Sequence, residues 1–340
     1  MKYLLPTIVF VTICCCKLSA ENYIEYQRGI TKAENLMFDS LFHESVKQYK
    51  TVFDSYSFNF PRDCMIAAQA ATYIKDDTSA FYFLRKAVRY GTHIERIKIV
   101  RLLEPLQNSP HWKIFINDYD SLRNAYYESI DIPYRDVCNE LKLKESALHT
   151  KDQGVVDGKY KKNGFFTNRY IVWNPFLRKK WKNCCKEVLT VIDSLIPIYG
   201  FPSYRTIGSA DSIIFNNITL SGAQILTTYY HYVGAKKSEQ FLFGLKEEVI
   251  KGNLSARDYA TLMEFQHREH KEYRSDKSMY YIRWEVYPFS DKIYPNEDVA
   301  NINREEIGLS NCYYERVRKL WQHLYNYGKP NSFELFYYEF

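Results

Sequence analysis

Laid against itself at an offset of about 35 residues, the stretch 30–88 sets Ile30 over Met65, Ala33 over Ala68, Leu36 over Ala71, Ser45 over Ala80, Tyr49 over Leu84 and Phe53 over Val88. Within each copy the matched positions fall three or four apart, which is the spacing that puts side chains on one face of a helix. Small residues recur where two helices would have to approach closely. Each copy therefore predicts two amphipathic helices, with breaks at Asp76-Asp77 and Gly91. A pair of this kind cannot bury its apolar face alone, so the chain must stack neighbouring pairs.

This period and these small residues resemble a tetratricopeptide-like array. Its two clearest copies are "AENLMFDSLFHESVKQYKTVF" and "AAQAATYIKDDTSAFYFLRKAV". A third copy at the same offset runs through Phe115, Tyr119 and Leu122, with Pro105 and Pro110 interrupting it. The resemblance covers residues 21–150 and implies a concave surface that holds a protein or peptide partner. The alternative is a scaffold that packs against the second half of the chain.

Beyond Thr150 the pattern changes. Residues 151–174 are polar, carry glycine and lack a helical period, so they predict a connecting loop. Periodicity returns in 175–340, a mostly helical second domain. Leu177, Trp181, Cys184, Val188, Ile192 and Leu195 form an apolar stripe, ended by Pro197 and Gly200-Phe201-Pro202. Helices follow at 220–232, at 238–251 with Gly252 as C-cap, at 256–273 opened by Ser255, and around 311–327. "MYYIRWEVY" (279–287) is the one strand candidate, a small β element. The fold class expected is mainly α: tetratricopeptide-like helical repeats followed by a mostly helical C-terminal domain.

The first twenty residues run from Lys2 through an apolar stretch, Tyr3 to Cys16, to Ala20 before polar "ENYIEYQ". That order is the order of a secretory signal, and the stretch is shorter than the roughly 20 residues a membrane span needs. Cleavage after Ala20 would place the mature chain in the periplasm or outside the cell, with no transmembrane helix. Acylation of Cys14, Cys15 or Cys16, giving a membrane-anchored lipoprotein, is the alternative. The remaining Cys64, Cys138, Cys184, Cys185 and Cys312 are odd in number and lack metal-site spacing, which predicts small buried hydrophobes rather than a disulfide framework. A formal charge of +6 spread over 340 residues gives no nucleic-acid footprint. The densest basic run, "RKKWK" at 178–182, reads as the solvated face of a helix.

No Walker loop, dinucleotide fingerprint or Gly-x-Ser-x-Gly elbow occurs, which argues against the common nucleotide and serine-hydrolase chemistries; the sequence leaves any cofactor unknown. Glu264, His267 and His270 lie three apart on one predicted helix, a spacing at which a carboxylate and two imidazoles can face one metal ion. Their charged neighbours Arg268, Glu269, Lys271 and Glu272 make a solvated polar face the simpler account. An enzyme reading, as a hydrolase, gathers His231, Glu264, Tyr281 and Arg304 into one catalytic pocket.

The whole mature chain also resembles an uncharacterised bacterial family of exported proteins, a domain of unknown function often preceded by a helical-repeat half. The resemblance rests on Asp152-Gln153, "YGFP" (199–202) followed by Ile207-Gly208, His231, "KGNLSARDYATL" (251–262) and "NINREEIGL" (301–309), in that order. This chain departs from the family at Glu264-Phe265 and at Tyr281-Ile282-Arg283. The family brings an architecture and an exported location, without a reaction.

Overall fold

A computed structural model of the chain describes residues 21–156, 175–208, 244–269, 280 and 297–335, and everything below concerns these. They are mainly α-helical. Helices α1 (Tyr23–Phe38) and α2 (Phe42–Ser55) form a first antiparallel pair, and α3 (Pro61–Tyr73) and α4 (Asp77–Arg89) a second. Asn22 opens α1 by accepting a 3.0 Å hydrogen bond from the Ile24 amide, Pro61 occupies the first turn of α3, and Asp76 accepts from the Ser79 amide to open α4.

The two pairs are turned alike. Ser40 and Lys75, 35 positions apart, take the left-handed conformation at the two inter-helix turns (φ 65° and 62°). The Leu41 amide donates to Leu36 O at 2.8 Å, and the Asp76 amide donates to Ala71 O at 2.9 Å, the same closure one offset later. Of the twelve positions matched in sequence, all are buried except Leu36, which is half-buried. Ala33, Ala68 and Ala80 are fully buried, and Ser45 Oγ donates to Ala33 O at 2.7 Å, so α2 crosses α1 at close range. Each pair is closed by a tyrosine that follows its second helix and reaches back to the segment before its first. The Tyr56 hydroxyl donates to Asn22 O, and the Tyr90 hydroxyl donates to Ser57 O.

After α5 (Ile94–Ile99) and a 3₁₀ helix (Arg101–Asn108) comes α6 (Pro110–Ser129). The two prolines expected to interrupt a third copy are accommodated. Pro110 stands at the first position of α6, where its missing N–H costs nothing, and Pro105 lies in the 3₁₀ helix. Phe115 is buried, with Tyr119 and Leu122 partly buried against the same core.

Helix α7 (Ile132–Val156) continues six residues into the stretch read as a loop; 157–174 fall outside the described residues. It packs on α8 (Pro175–Tyr199), where the expected stripe holds from Trp181 through Cys184, Val188 and Ile192. The Trp181 indole donates to Glu145 at 2.8 Å, while Lys179 and Lys180 beside it are exposed. Pro197 does not stop α8. In the final turn it removes a single bond, to the carbonyl of the exposed Asp193, and the helix ends two residues later, where the Gly200 amide donates to Ile196 O and Gly200 turns left-handed (φ 83°).

The remaining described elements are helical residues 244–250, α9 (Ala256–Glu269), α10 (Glu297–Glu306) and α11 (Cys312–Asn326). The expected caps are present: Gly252 is left-handed (φ 75°) after 244–250, and the Asp258 amide donates to Ser255 Oγ at 3.0 Å. The helix expected at 220–232 lies outside the described residues. So does the strand at 279–287 apart from Tyr280, and no strand occurs among those described.

The end of the chain returns to its beginning. Helix α11 packs on α1, the Tyr314 hydroxyl donating to Asp39 at 2.8 Å and Trp321 lying edge-on to Phe38 at 5.2 Å. Gly308, at φ 80° in the turn between α10 and α11, rests on the α1 backbone. A Cβ there would stand 2.7 Å from Ile24 O and 3.0 Å from the Arg28 amide nitrogen. Both are backbone atoms that cannot swing aside. Gly200 is also left-handed but has open space around its Cβ position. Gly308→Ala is therefore expected to destabilise the fold by about 3 kcal/mol, and Gly200→Ala by roughly 1 kcal/mol, the conformational cost alone. Urea titrations of the two variants measure the difference, and equal losses would show that α1 yields at Gly308.

Candidate functional site

The polar side chains that converge lie where α9, α10 and α11 meet α1. Helix α11 turns Cys312, Glu315, Arg318 and Gln322 inward, at helical spacing. Glu315 is fully buried and accepts two hydrogen bonds from Arg257 of α9, at 3.1 and 2.6 Å, in a fork-to-fork pair. Its Oε2 also accepts from Arg304 of α10 at 3.0 Å. Arg304 is itself fully buried; its Nε donates to Ser310 O and its Nη1 to Tyr280 O. Arg318 lies 3.9 Å from Glu315, pairs with Glu34 of α1 and stands over the Phe38 ring. Glu34 in turn faces Arg62 of α3 at 3.6 Å, Arg62 faces Asp63 at 3.6 Å, and Asp63 accepts from the Tyr26 hydroxyl at 3.0 Å. Alternating charges thus run from α9 through α11 to α1 and α3.

Burial alone would push the Glu315 carboxyl up, but Arg257 and then Arg304 overcome it and hold the group at about 2. Burial, with Arg257 and Arg304 adding to it against the pull of Glu315, lowers the Lys319 ammonium to about 8. Each buried carboxylate of the cluster faces at least one guanidinium, as charges withdrawn from water require.

Of the residues expected to form a catalytic pocket, Glu264 and Arg304 come together. They do so on one residue's backbone: the Tyr280 amide donates to Glu264, and Tyr280 O accepts from Arg304. Both side chains are buried, and these bonds hold Tyr280 in place. His231 and Tyr281 lie outside the described residues. Of the metal set, Glu264 faces Tyr280, His267 is in α9 with its side chain outside the described residues, and His270 lies outside them altogether. Among the described residues no three His, Cys, Asp or Glu side chains are grouped to hold a metal ion. Arg257, Glu315, Arg318 and Glu34, which complete the cluster, were not among the sequence candidates. The available signal was their spacing, Glu315 three residues before Arg318 and three after Cys312 on one helical face.

The five cysteines from Cys64 onward are free and buried. Burial pushes the thiols up, to about 12 for Cys138 and Cys185 and about 11 for Cys312, which keeps them protonated and unreactive. Among the described residues no helix is long and apolar enough to cross a membrane. Comparisons with family models, with curated proteins and with solved structures give no match.

What this cluster does chemically is join helices. Removing Glu315 would leave Arg257 and Arg304 buried without their shared anion, so Glu315→Ala is expected to cost about 3 to 5 kcal/mol in denaturant titration. The wild-type chain should also lose stability in acid. Glu315 has its pKa lowered from 4.5 to about 2, so its contribution is complete above 4.5 and disappears as pH falls toward 2. That loss, on the order of 3 kcal/mol, should be absent from the pH dependence of Glu315→Gln. An unchanged acid limb in the variant would show that other carboxyls set it.

Proposed function

We propose that this chain is an exported helical-repeat protein that binds a polypeptide partner, with residues 21–150 as a tetratricopeptide-like array. The observation that carries the reading is the recurrence of one geometry in consecutive helix pairs. The left-handed turns at Ser40 and Lys75 and the tyrosine ties from Tyr56 and Tyr90 all return after one offset. Arrays built this way present a continuous face along their first helices, and such faces hold extended partners.

The residues that follow the expected cut after Ala20 are engaged in the fold, which fits export. Asn22 caps α1, and Glu21 accepts hydrogen bonds from the Ser57 amide and hydroxyl at 2.7 and 2.6 Å. Both residues follow directly on the expected cut after Ala20, so the mature chain would start with residues already engaged in the fold. The resemblance to an exported family of unknown function fits the same picture. Several of its quoted segments supply architectural contacts: Gly252 facing the Tyr23 ring, Gly308 on α1, Arg257 and Arg304 on Glu315. The hydrolase alternative draws less support, because Glu264 and Arg304 are engaged in holding Tyr280.

Two measurements test this reading. Expression with the native N-terminus followed by intact-mass analysis should return Glu21 to Phe340 outside the cytoplasm; a lipidated cysteine at the N-terminus would replace the free form by an anchored one, and retained Met1 would end the export reading. Selection of random displayed peptides on the purified mature chain should enrich one short consensus with saturable binding. No enrichment, or a hydrolytic activity abolished by Glu264→Gln in a folded chain, would overturn the binding reading.

A further inference from the structure

The chain already holds an extended peptide, its own residues Phe333, Glu334 and Leu335, all buried. These residues have no helix or strand of their own, and side chains from the helices around them satisfy the main chain of Glu334 and Leu335. The Gln69 amide of α3 makes both bonds to one residue. Its Nε2 donates to Glu334 O at 3.0 Å, and its Oε1 accepts from the Glu334 amide at 2.8 Å. The Leu335 amide donates to Gln322 of α11 at 2.7 Å, and Leu335 O accepts from Arg62 of α3 at 3.1 Å. A glutamine that donates and accepts at one peptide residue does what a neighbouring strand does, and such main-chain recognition works whether or not the peptide is covalently joined.

The side chains are read as well. The Phe333 ring sits among Phe42 (5.8 Å, stacked), Tyr73 (5.6 Å) and Trp321 (5.1 Å). The Glu334 carboxylate pairs with Arg96 of α5. The walls of the site are anchored independently of its occupant, since α11 is held on α1 through Arg318–Glu34 and Tyr314–Asp39. The link from α11 to the occupant has the opposite character. Residues 327–331 are exposed, Gly328 and Asn331 are left-handed, and the hydrogen bonds of this stretch close on α11 and on itself, as from the Lys329 amide to Leu324 O and from Ser332 Oγ to Lys329 O.

We propose that α3, α5 and α11, with Phe42 of α2, form a recognition site for an extended aromatic-acidic-aliphatic peptide. Residues 333–335 are its tethered occupant, and a partner segment of the same chemistry displaces them. This rests on the binding reading above and names its site and ligand class. A segment on a short linker competes at an effective concentration of about a millimolar, so a partner must either exceed that or act when the tail is withdrawn.

The test uses the full mature chain and a labelled peptide of residues 331–340, NSFELFYYEF. In the Phe333→Ala/Leu335→Ala chain, whose own tail is weakened, the peptide should bind saturably, and in the wild-type chain about a hundredfold more weakly. Adding Gln69→Ala should cost about tenfold or more in affinity. Arg96→Glu should reject this peptide and accept one carrying Glu334→Arg, a charge exchange that a general loss of structure would not produce. The proposal fails if the folded double variant shows no saturable binding, if that variant loses cooperative unfolding, so that 333–335 are core, or if the wild type forms dimers by exchanging tails. A selected consensus unlike Phe-Glu-Leu and indifferent to Gln69→Ala would overturn this inference and leave the binding reading standing; no consensus would remove both.

Discussion

Glu315 is a carboxylate with no access to water, and it stays ionised because Arg257 and Arg304 reach it from two other helices. Neither guanidinium would be tolerated there without it, and the arrangement of α9, α10 and α11 follows from meeting that requirement. Coulombic attraction at such a site is strong but offset by desolvation, so breaking the cluster costs more than forming it gains. Arg318 carries the condition onward to Glu34, and so to α1.

The contact with α1 also depends on an absence of bulk. Gly308 lets the turn before α11 reach the α1 backbone, where the Thr31 hydroxyl donates to Gly308 O at 2.7 Å. Gly252 does the same beneath the Tyr23 ring, where a Cβ would come within 2.5 Å. Two glycines and one ion cluster thus fasten the later helices to the first one, while the aromatic set of Phe38, Phe42, Tyr73, Trp321 and Phe333 covers the seam.

Helices α1 to α4 were legible because their signals are local: apolar residues three and four apart, small residues at the crossing, and the breaks at Asp76-Asp77 and Gly91. The α8 stripe, the Ser255 cap and the Gly252 cap were legible for the same reason. The ion cluster was not, because its members stand on separate helices and no spacing in sequence joins Arg257 to Glu315. Helix α11 adds a second difficulty. It buries Glu315, Arg318 and Gln322 and exposes Tyr313 and Leu324, so a reading by apolar stripe would face it the wrong way. Glu264 drew attention through its spacing from His267 and His270, whereas the partner seen for it, the Tyr280 amide, is a backbone group that composition does not mark. Pro197 was misjudged because a proline in a last turn forfeits one hydrogen bond rather than a helix.

The bonds that Gln69 makes to Glu334 join residues 265 positions apart. Synthesis runs from the N-terminus, so α1 to α4 leave the ribosome long before Glu334 exists. The contact that Gln69 offers is met only once residues 333–335 have been made. Until then that contact is unmade, and closing it spans 265 positions of sequence, a slow kind of contact to form. The order of synthesis therefore gives every newly made copy an interval in which its tail is not yet available to itself.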